Sequence, residues 1–535
     1  MPKGFLSVVL HAHLPFVRHV DTPDCLEQRW LFQAITETYI PLLNTMFRLA
    51  EDGLPGRVTV SLSPPLLEML DDTLLQKRYI GHLENLIELA EKETVRLKGD
   101  ITLEPLARMY LSKFRQAYID YVDRFKCNLI QPWAALESEG YVELCTSAAT
   151  HAYLPLMLTK GSIKAQIITG LNTFRRHFGH TPKGFWLPEC AYTPDVEPVL
   201  KHEGVQYFIL ETHGVLFSTP RPRFGYHAPV VTPHGLLAFA RDPDCSKQVW
   251  SADEGYPGDP WYREYYRDIG YDLPLEYLGK ALPGNTRVPL GIKYHRVTDR
   301  KSNYKDFYRP DIAKARAWEH AGNFMFWRNK EAEFWKDLYG RRPLMVAPYD
   351  AELFGHWWYE GPLFLENLLR RMAQERQHVR PITLCQYREY YPVNQPAEPS
   401  VSGWGYKGYH QVWLERSNHW IYRHLHACEM LMSRLAEKFK SATGLMERAL
   451  NQAARELMLA QASDWPFIMN SGTVYQYAVN RFVTHVGRFL KLARQLEAGT
   501  VDPGFLRHLE RTDTIFPDMD FRDFTAGFRD TEKVS

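Results

Sequence analysis

Two carboxylates follow short apolar runs that are typical of buried strands. Glu189 comes after "GFWLP" (184–188), and Asp350 comes after "LMVAPY" (344–349). Because an ionised carboxylate is costly to bury without partners, each residue either escapes to solvent on a loop or sits in a cleft and does chemistry. Two carboxylates across a cleft suit glycoside chemistry, with one as proton donor and the other as nucleophile or base. An ordinary ion pair is the alternative for either residue, and four other carboxylates compete: Glu143, Asp195, Glu197 and Glu352.

Two histidines near the start of the chain form a second candidate group. In "HAHLP" (11–15), His11 and His13 point to the same face if the segment is a strand. They could bind a metal, hydrogen-bond a polar substrate or be satisfied core histidines. A metal site would need further ligands, for which His151 and His213 are available, but these two histidines are isolated in the sequence. We therefore predict no metal and no cofactor.

Aromatic residues surround both carboxylates. Trp186 lies three residues before Glu189, while His356 and Trp357 follow Asp350 closely. Indole rings stack on the apolar faces of pyranose rings, and imidazoles bind sugar hydroxyls. For any single tryptophan a place in the core is the more ordinary explanation, but the whole set favours a sugar-binding cleft.

The elements that must position these residues alternate along the chain. Helical stretches such as 164–179 and 359–376 separate most of the short apolar runs, an order that predicts a parallel α/β fold with strands covered on both faces. The number of runs is compatible with a barrel or an open sheet. The predicted strands are 6–10, 57–63, 142–146, 184–187, 206–210, 344–349 and 381–385.

Other parts of the chain break this alternation. Residues 66–139 have a helical pattern and form a predicted insertion, and residues 415–498 show a 3.6-residue periodicity after the linker 394–403. Residues 214–300 form a long connection rich in Pro, Gly and Tyr, in which 240–260 is a candidate lid. The last ~25 residues are predicted to be a surface tail or cap.

Bulk composition narrows the class of protein. The chain has 535 residues, 45% of them hydrophobic, and a formal net charge of +1, so we predict no nucleic-acid partner and no membrane partner. No apolar stretch approaches the ~20 residues that span a bilayer. The seven scattered cysteines contain no CxxC, and the amino-terminal segment is typical of a first strand, so we predict a cytoplasmic location. The oligomeric state is not predicted, and a monomer is compatible with the sequence.

Five motifs carry a resemblance to a known family. They are "HAHLP" (11–15), "ELCTSAATH" (143–151), "GFWLPECAY" (184–192), "APYDAELFGHWWYEG" (347–361) and "ASDWPF" (462–467). In this order the chain resembles glycoside hydrolase family 57, and within it the α-1,4-glucan branching enzymes, over essentially its full length. The resemblance implies a (β/α)7 barrel from residues 1–65 and 140–393, a helical insertion at 66–139, and a helical C-terminal domain at 394–535 that completes the cleft.

The resemblance also implies a mechanism. Glu189 matches the nucleophile and Asp350 the general acid/base of a retaining reaction on α-1,4-glucan, with the carboxyl groups about 5–5.5 Å apart. A covalent glycosyl-enzyme would pass its sugar to a 6-hydroxyl, which makes an α-1,6 branch in a glycogen-like polymer. The residues expected to bind the glucan are His11, His13, His151, Trp186, His356, Trp357, Trp404, Trp413, Asp464 and Tyr271.

Several alternatives stay open. An α-amylase or a 4-α-glucanotransferase on the same scaffold is the nearest, because only the acceptor differs between hydrolysis and transfer. Branching members of the family are thought to use a tyrosine on a lid loop, and residues 227–255 contain no tyrosine between Tyr226 and Tyr256. A metal-dependent hydrolase or deacetylase using His11 and His13 is a second alternative. A non-catalytic glucan-binding protein, in which Glu189 is structural, is a third.

Overall fold

Short, buried strands form the sheet. The computed structural model describes residues 2–22, 24–251, 254–284, 286–374 and 379–527. All eight residues of the first strand are buried, as expected for a strand covered on both faces. The strands are β1 (Phe5–Ala12), β2 (Val58–Leu62), β3 (Val142–Ser147), β4 (Gly184–Trp186), β5 (Tyr207–Leu210), β6 (Val230–Val231), β7 (Leu237–Ala240), β8 (Leu344–Asp350) and β9 (Arg380–Pro381).

Helices occupy most of the remaining described chain. Two segments are π-helical: Ile35–Tyr39 lies inside a longer helical run, and Ile119–Arg124 ends one. The α-helices are α1 (Leu26–Ala34), α2 (Ile40–Glu51), α3 (Pro64–Asp71), α4 (Thr73–Arg96), α5 (Leu103–Tyr118), α6 (Ile130–Ser138), α7 (Lys160–Phe178), α8 (Glu197–His202), α9 (Thr212–Leu216), α10 (Pro243–Trp250), α11 (Ile269–Asp272), α12 (Leu275–Leu278), α13 (Pro310–Tyr339), α14 (Gly361–Gln374), α15 (Leu384–Tyr390), α16 (Trp420–Lys438), α17 (Gly444–Ala460), α18 (Asp464–Ser471), α19 (Tyr475–Ala498) and α20 (Pro503–Thr512).

The chain divides into two compact units. Unit 1 comprises Met1–Val60, Met69–Leu144 and Asp242–Tyr390. Its strands lie in the order β3-β2-β1-β8, and β9 pairs with β1. Strands β1 and β8 are parallel, in a register that runs from Phe5 opposite Leu344 to His11 opposite Asp350. The register therefore brings a predicted catalytic carboxylate and a predicted sugar-binding histidine to the same end of two neighbouring strands.

Unit 2 comprises Ser61–Glu68, Cys145–Arg241 and Tyr391–Ser535. Its strands lie in the order β6-β7-β5-β4-β3-β2, with β3, β4, β5 and β7 paired in parallel and β6 antiparallel to β7. The core of this unit packs buried side chains of β4 and β5 against α7, including Phe185, Phe208 and Ile167. Helices α16 to α20 supply its C-terminal part.

The predicted α/β fold class, with a helical insertion and a helical C-terminal region, is confirmed. The segment between β2 and β3 is helical. The described part of the C-terminal region has helices and no strand. Among the described residues, none of the helices combines the length and apolar character that crossing a membrane requires.

Two predictions about individual elements are wrong. The predicted strand 381–385 is a two-residue pairing at β9 followed by helix α15, because Leu384 and Cys385 bury one face of a helix. The connection 214–300 is not structureless, since it contains the strands β6 and β7 and the short helices α10, α11 and α12, and α10 lies within the candidate lid. Within that candidate lid, Ala252 and Asp253 lie outside the described residues. The predicted helix 359–376 is present as α14, and its last two positions also lie outside the described residues.

Candidate active site

Glu189 occupies a strained turn at the end of β4. The strand ends at Trp186, and the short helical turn Pro188–Cys190 follows it. Glu189 has φ of 61° and Cys190 has φ of 49°, so two residues other than glycine lie in the left-handed region. Such conformations cost free energy and persist where the surrounding structure imposes them, often at functional sites. The turn fixes the direction in which the Glu189 carboxylate points.

Both carboxylate oxygens of Glu189 have hydrogen-bond donors from the C-terminal part of unit 2. The Trp404 indole N–H donates to Oε2 at 2.7 Å, and the Ser463 hydroxyl donates to Oε1 at 3.3 Å. The Trp404 main-chain N–H also donates to the Glu189 carbonyl at 2.9 Å. The side chain of Glu189 is 15% exposed, which leaves part of it accessible. Hydrogen bonds to a charged acceptor favour its ionised form and fix its orientation.

His151 belongs to the same cluster. It follows β3 with φ of 53° and is buried. Its Nδ1 lies 2.9 Å from the Ser463 hydroxyl and 3.7 Å from Oε1 of Glu189. The Ser463 side chain therefore links the imidazole to the carboxylate, and the main-chain N–H of Ser463 also donates to the His151 carbonyl.

Three predicted tryptophans lie in unit 2 in different environments. Trp404 is partly buried, and its ring makes an edge contact with the fully buried Trp186 at a centroid distance of 5.2 Å. Trp413 is buried and stacks on Tyr153 with ring centroids 4.4 Å apart. Trp404 is thus the tryptophan that reaches Glu189, with Trp186 packed behind it.

Asp464 begins helix α18, in the segment that the motif "ASDWPF" predicts to reach the site. The residue before it, Ser463, makes the hydrogen bonds to His151 and Glu189 described above. The segment is further tied to this part of unit 2 by a bridge between Ala152 and Ala462.

The second cluster lies in unit 1, around the end of β8. Asp350 is the last residue of β8 and is partly exposed. His11, opposite it on β1, is buried, and its ring stacks on His13 with centroids 5.8 Å apart. Burial and the neighbouring His13 hold the pKa of His11 well below its ordinary value. His11 is therefore a neutral imidazole that can donate or accept a hydrogen bond.

Glu352 is a buried carboxyl two residues beyond Asp350. Its Oε1 accepts hydrogen bonds from the Tyr39 hydroxyl at 2.5 Å and the His13 main-chain N–H at 3.1 Å. Burial raises the pKa of Glu352 to about 8, the Tyr39 hydrogen bond opposes that rise, and the charge of Asp350 adds to it. Glu352 is accordingly a protonated carboxyl at neutral pH, and it connects the Asp350 segment to the residue that follows β1 and to the π-helical segment 35–39.

The same π-helical segment also holds His356. Oε2 of Glu37 lies 2.7 Å from His356 Nδ1, and the Tyr265 hydroxyl lies 3.2 Å from its Nε2. Although burial alone would raise the pKa of Glu37, its hydrogen bond with His356 and the charge of Arg263 hold the pKa far below the ordinary value. Gly355 has φ of 111°, and a Cβ there would collide with the Glu37 carbonyl oxygen.

Two predicted aromatic residues are exposed in unit 1. Trp357 is 51% exposed and stacks on Tyr265, with centroids 4.5 Å apart and an interplanar angle of 25°. Tyr271 lies in the short helix α11 and is 48% exposed. The exposed indole of Trp357 is held in place by stacking on Tyr265, so its free face is suited to bind the face of a sugar ring.

Two groups of side chains that could bind a metal ion each lie within one unit, and they consist of other residues than the two clusters described above. In unit 1 the group is His19, Cys25 and Glu27; in unit 2 it is Glu456, His485 and Asp513. The second group already contains Arg488, whose guanidinium lies 2.5 Å from Asp513 and 3.9 Å from Glu456. Among the described residues, neither of these groups includes His11 or His13.

Sequence reasoning missed the residues that position the two clusters. Ser463 lies inside a recognised motif, and its position next to Asp464 was the available signal. Glu37 and Tyr39 had no signal of this kind, because "ITETY" (35–39) has the pattern of ordinary helix. Glu352 was considered only as a competing carboxylate. A π-helical bulge is common at functional sites, but a single sequence does not reveal one.

Two family models match the chain. The model of glycosyl hydrolase family 57 matches residues 7–399, and the model described as "1,4-alpha-glucan branching enzyme, C-terminal" matches residues 424–524. The chain belongs to glycosyl hydrolase family 57.

Individual relatives carry two different names. The chain is 33% identical to a 1,4-α-glucan branching enzyme of Thermococcus kodakarensis, over 96% of this chain and 77% of the relative. It is similar to the structure of a branching enzyme from Pyrococcus horikoshii, with 32% identity, a TM-score of 0.88, and 98% and 97% of the two chains covered. It is also similar to a structure described as the α-amylase AmyC of Thermotoga maritima, with 41% identity, a TM-score of 0.92, and 98% and 99% covered.

Proposed function

We propose that this protein is a 1,4-α-glucan branching enzyme. It would cleave an α-1,4-glucan with retention of configuration and transfer the released segment to a 6-hydroxyl of a glucan. The match of residues 424–524 to the C-terminal model of branching enzymes, together with relatives of that name along nearly the whole chain, supports the transfer reaction. The observation that carries the chemistry is Glu189, a carboxylate held at positive φ with hydrogen-bond donors on both oxygens.

Glu189 is the proposed nucleophile. One of its oxygens attacks the anomeric carbon, the bond to the leaving glucan oxygen breaks, and a glycosyl ester forms on the carboxylate. The donors Trp404 and Ser463 orient the carboxylate for that attack. Because orientation accounts for a large part of many rate enhancements, their contribution should appear mainly in kcat.

Asp350 is the proposed general acid and base. It gives its proton to the leaving oxygen and then removes the proton from the incoming 6-hydroxyl, so its proton count is restored at the end of each cycle. The protonated Glu352 nearby adds no negative charge below about pH 8, where its own pKa lies. The Asp350 segment is also held by His356 and Glu37 through the contact at 2.7 Å.

The remaining predicted residues are proposed to bind the glucan. In unit 2, Trp404 lies beside the nucleophile, and in unit 1 the exposed Trp357 offers a ring face supported by Tyr265. The full set is His11, His13, His151, Trp186, His356, Trp357, Trp404, Trp413, Asp464 and Tyr271. No metal or cofactor is part of this proposal.

An α-amylase is the second candidate. The specific observation in its favour is the 41% identity to the structure described as an α-amylase, which covers 99% of that chain. The absence of tyrosine from the sequence 227–255 points in the same direction if the transferring members require a lid tyrosine. Hydrolysis and transfer share every step up to the glycosyl ester, so Glu189 and Asp350 have the same roles in both.

Linkage analysis of the products of amylose separates the candidates. The branching proposal predicts new α-1,6 linkages, counted by proton NMR and by chain release with a debranching enzyme, with few new reducing ends. An α-amylase would produce reducing ends and no α-1,6 linkages. Glu189→Gln and Asp350→Asn should each abolish both signals while circular dichroism shows a folded chain, whereas Asp195→Asn, a matched control on an exposed carboxylate, should retain them.

A non-catalytic role for Glu189 would be supported if Glu189→Gln turned over amylose like the wild type. Cytoplasmic location and a glycogen-like product are parts of the same proposal. Fractionation of cells that express the chain at its natural level, with immunodetection, tests the location. Branch counts on polymer isolated from cells with and without the chain test the product.

A further inference from the structure

A cavity in unit 1 contains none of the residues proposed to react with or bind the glucan. It has a volume of about 630 Å³ and lies between the π-helical segment 35–39, α2, α5 and the first turns of α13 and α14. That volume is within the range typical of small-molecule sites. The lining residues on which the argument depends are Glu37, Lys113, Tyr308, Lys314, Tyr359 and Glu360.

Two lysines line this cavity without a hydrogen bond or salt bridge to any residue that the structure describes. Lys113 projects from α5, and its Nζ lies 4.3 Å from the centre of the Tyr359 ring. Lys314 lies in the first turns of α13. Lys314 is exposed, and in its charged form each of the two side chains can donate three hydrogen bonds to a ligand.

Charged groups of both signs lie around Lys113: Arg263 and Lys293 lower its pKa, Glu37 and Glu360 raise it, and Asp120 also lines the cavity. Arg263 lies against the same Tyr359 ring, 4.2 Å from its centre, and burial lowers the pKa of the neighbouring Lys293. Burial lowers the pKa of Lys113 to about 7, with Glu37 opposing that effect and Arg263 adding to it. Burial also raises the pKa of Glu360, which reduces the negative charge that this carboxyl can supply. A bound anion would give Lys113 and Lys314 the hydrogen-bond acceptor that they lack among the described residues.

We propose that this cavity binds a small organic anion. A carboxylate or phosphate group accepts hydrogen bonds from Lys113 and Lys314, and the body of the ligand packs against Tyr308, Tyr359 and the apolar lining. Glu37 lines the cavity with the same side chain that holds His356, so an occupied cavity is connected to the Asp350 segment through one residue. The binding itself does not depend on the proposed glucan chemistry.

Direct titration of the full-length chain tests this site without a glucan. Inorganic phosphate, benzoate and glucose 6-phosphate are titrated by calorimetry into the wild type, Lys113→Met and Lys113→Arg. We expect at least one of the two organic probes to bind, Lys113→Met to weaken it by about tenfold or more, and Lys113→Arg to retain most of the affinity. Tighter binding of benzoate indicates a carboxylate site with an apolar body, and tighter binding of glucose 6-phosphate indicates a sugar ester. If inorganic phosphate binds and neither organic probe does, the proposal that the ligand is an organic anion is refuted.

A matched control and a second readout keep the test decisive. Lys77→Met removes an exposed lysine of α4 and should leave every affinity unchanged. If Lys113→Met fails to fold, amine acylation of the wild type at pH 7 is followed by peptide mass spectrometry, and the bound probe should protect Lys113 but not Lys77. The proposal is refuted if none of the probes binds, or if the best probe neither loses affinity in Lys113→Met nor protects Lys113.

Discussion

Replacing Glu352 by glutamine measures how much stability the folded chain loses when this buried carboxyl, beside the proposed acid/base, ionises. The amide oxygen of glutamine can still accept the hydrogen bonds from Tyr39 and the His13 N–H, and the two side chains have nearly the same volume. The change therefore removes the titration of Glu352 and leaves the packing and the acceptor in place. Glu352 is 8% exposed, so solvent screens it little.

The sign and size of the effect follow from the shifted pKa. The pKa of Glu352 rises from an ordinary 4.5 to about 8 in the folded chain. Below pH 4.5 both states carry the proton; between 4.5 and 8 only the folded state keeps it, so the contribution of this group to stability falls as the pH rises. Without relaxation the fall amounts to about 5 kcal/mol, and structural relaxation and water entry should reduce it to about 2 kcal/mol.

Urea unfolding at pH 5 and pH 9, followed by circular dichroism and tryptophan fluorescence, measures this difference. Wild type and Glu352→Gln should have similar midpoints at pH 5, and the variant should be the more stable at pH 9. Glu84→Gln, which changes an exposed carboxylate of α4, should follow the wild type at both values. The reasoning is refuted if Glu352→Gln and wild type lose the same stability between pH 5 and pH 9.

Three further predictions concern catalysis, backbone conformation and metals. Trp404→Phe should lower kcat about 10- to 100-fold with a smaller change in KM, because it removes a charge-assisted hydrogen bond to Glu189; steady-state kinetics should show no comparable loss for Trp420→Phe. Gly355→Ala should destabilise the chain by about 3 kcal/mol or more in urea unfolding, since its φ is 111° and its Cβ would meet main chain, while Gly53→Ala, at φ of 66° in open space, should cost about 1 kcal/mol. Turnover of amylose should be unchanged after dialysis against a chelator, and a loss restored by added divalent metal would contradict the assignment of Glu189 and Asp350.

Apolar runs predicted the main strands because parallel strands covered on both faces are continuous in hydrophobicity. The same rule failed where a short apolar run is compatible with either a strand or a helix. Residues 381–385 are apolar enough for a strand, yet the chain turns into helix after Pro381, with the Tyr387 N–H donating to the Thr383 carbonyl. Strand β7 was missed because it is four residues long and lies in a stretch rich in proline and glycine. Its place beside β5 is set by long-range pairing.

Some residues of the candidate site could likewise be predicted from the sequence, and others could not. A carboxylate that follows an apolar run lies at a strand's end, so the positions of Glu189 and Asp350 made them candidates among several carboxylates, and the family resemblance selected the pair. The contacts within the site could not be predicted in this way, because Trp404 is 215 residues from Glu189 and Glu37 is 319 residues from His356. A sequence motif records neighbours along the chain, whereas these contacts form only when distant helices pack.

The sequence alone therefore determined the α/β class and the family resemblance, and it supplied the two carboxylates as candidates, since each depends on patterns a few residues long. Only the tertiary structure decided that Glu189 adopts a positive φ with donors on both oxygens, and that a π-helical segment holds Glu352 and His356. The physical reason is that hydrogen bonds between buried side chains depend on relative positions in space, which packing fixes to within a fraction of an ångström. No local periodicity encodes such positions.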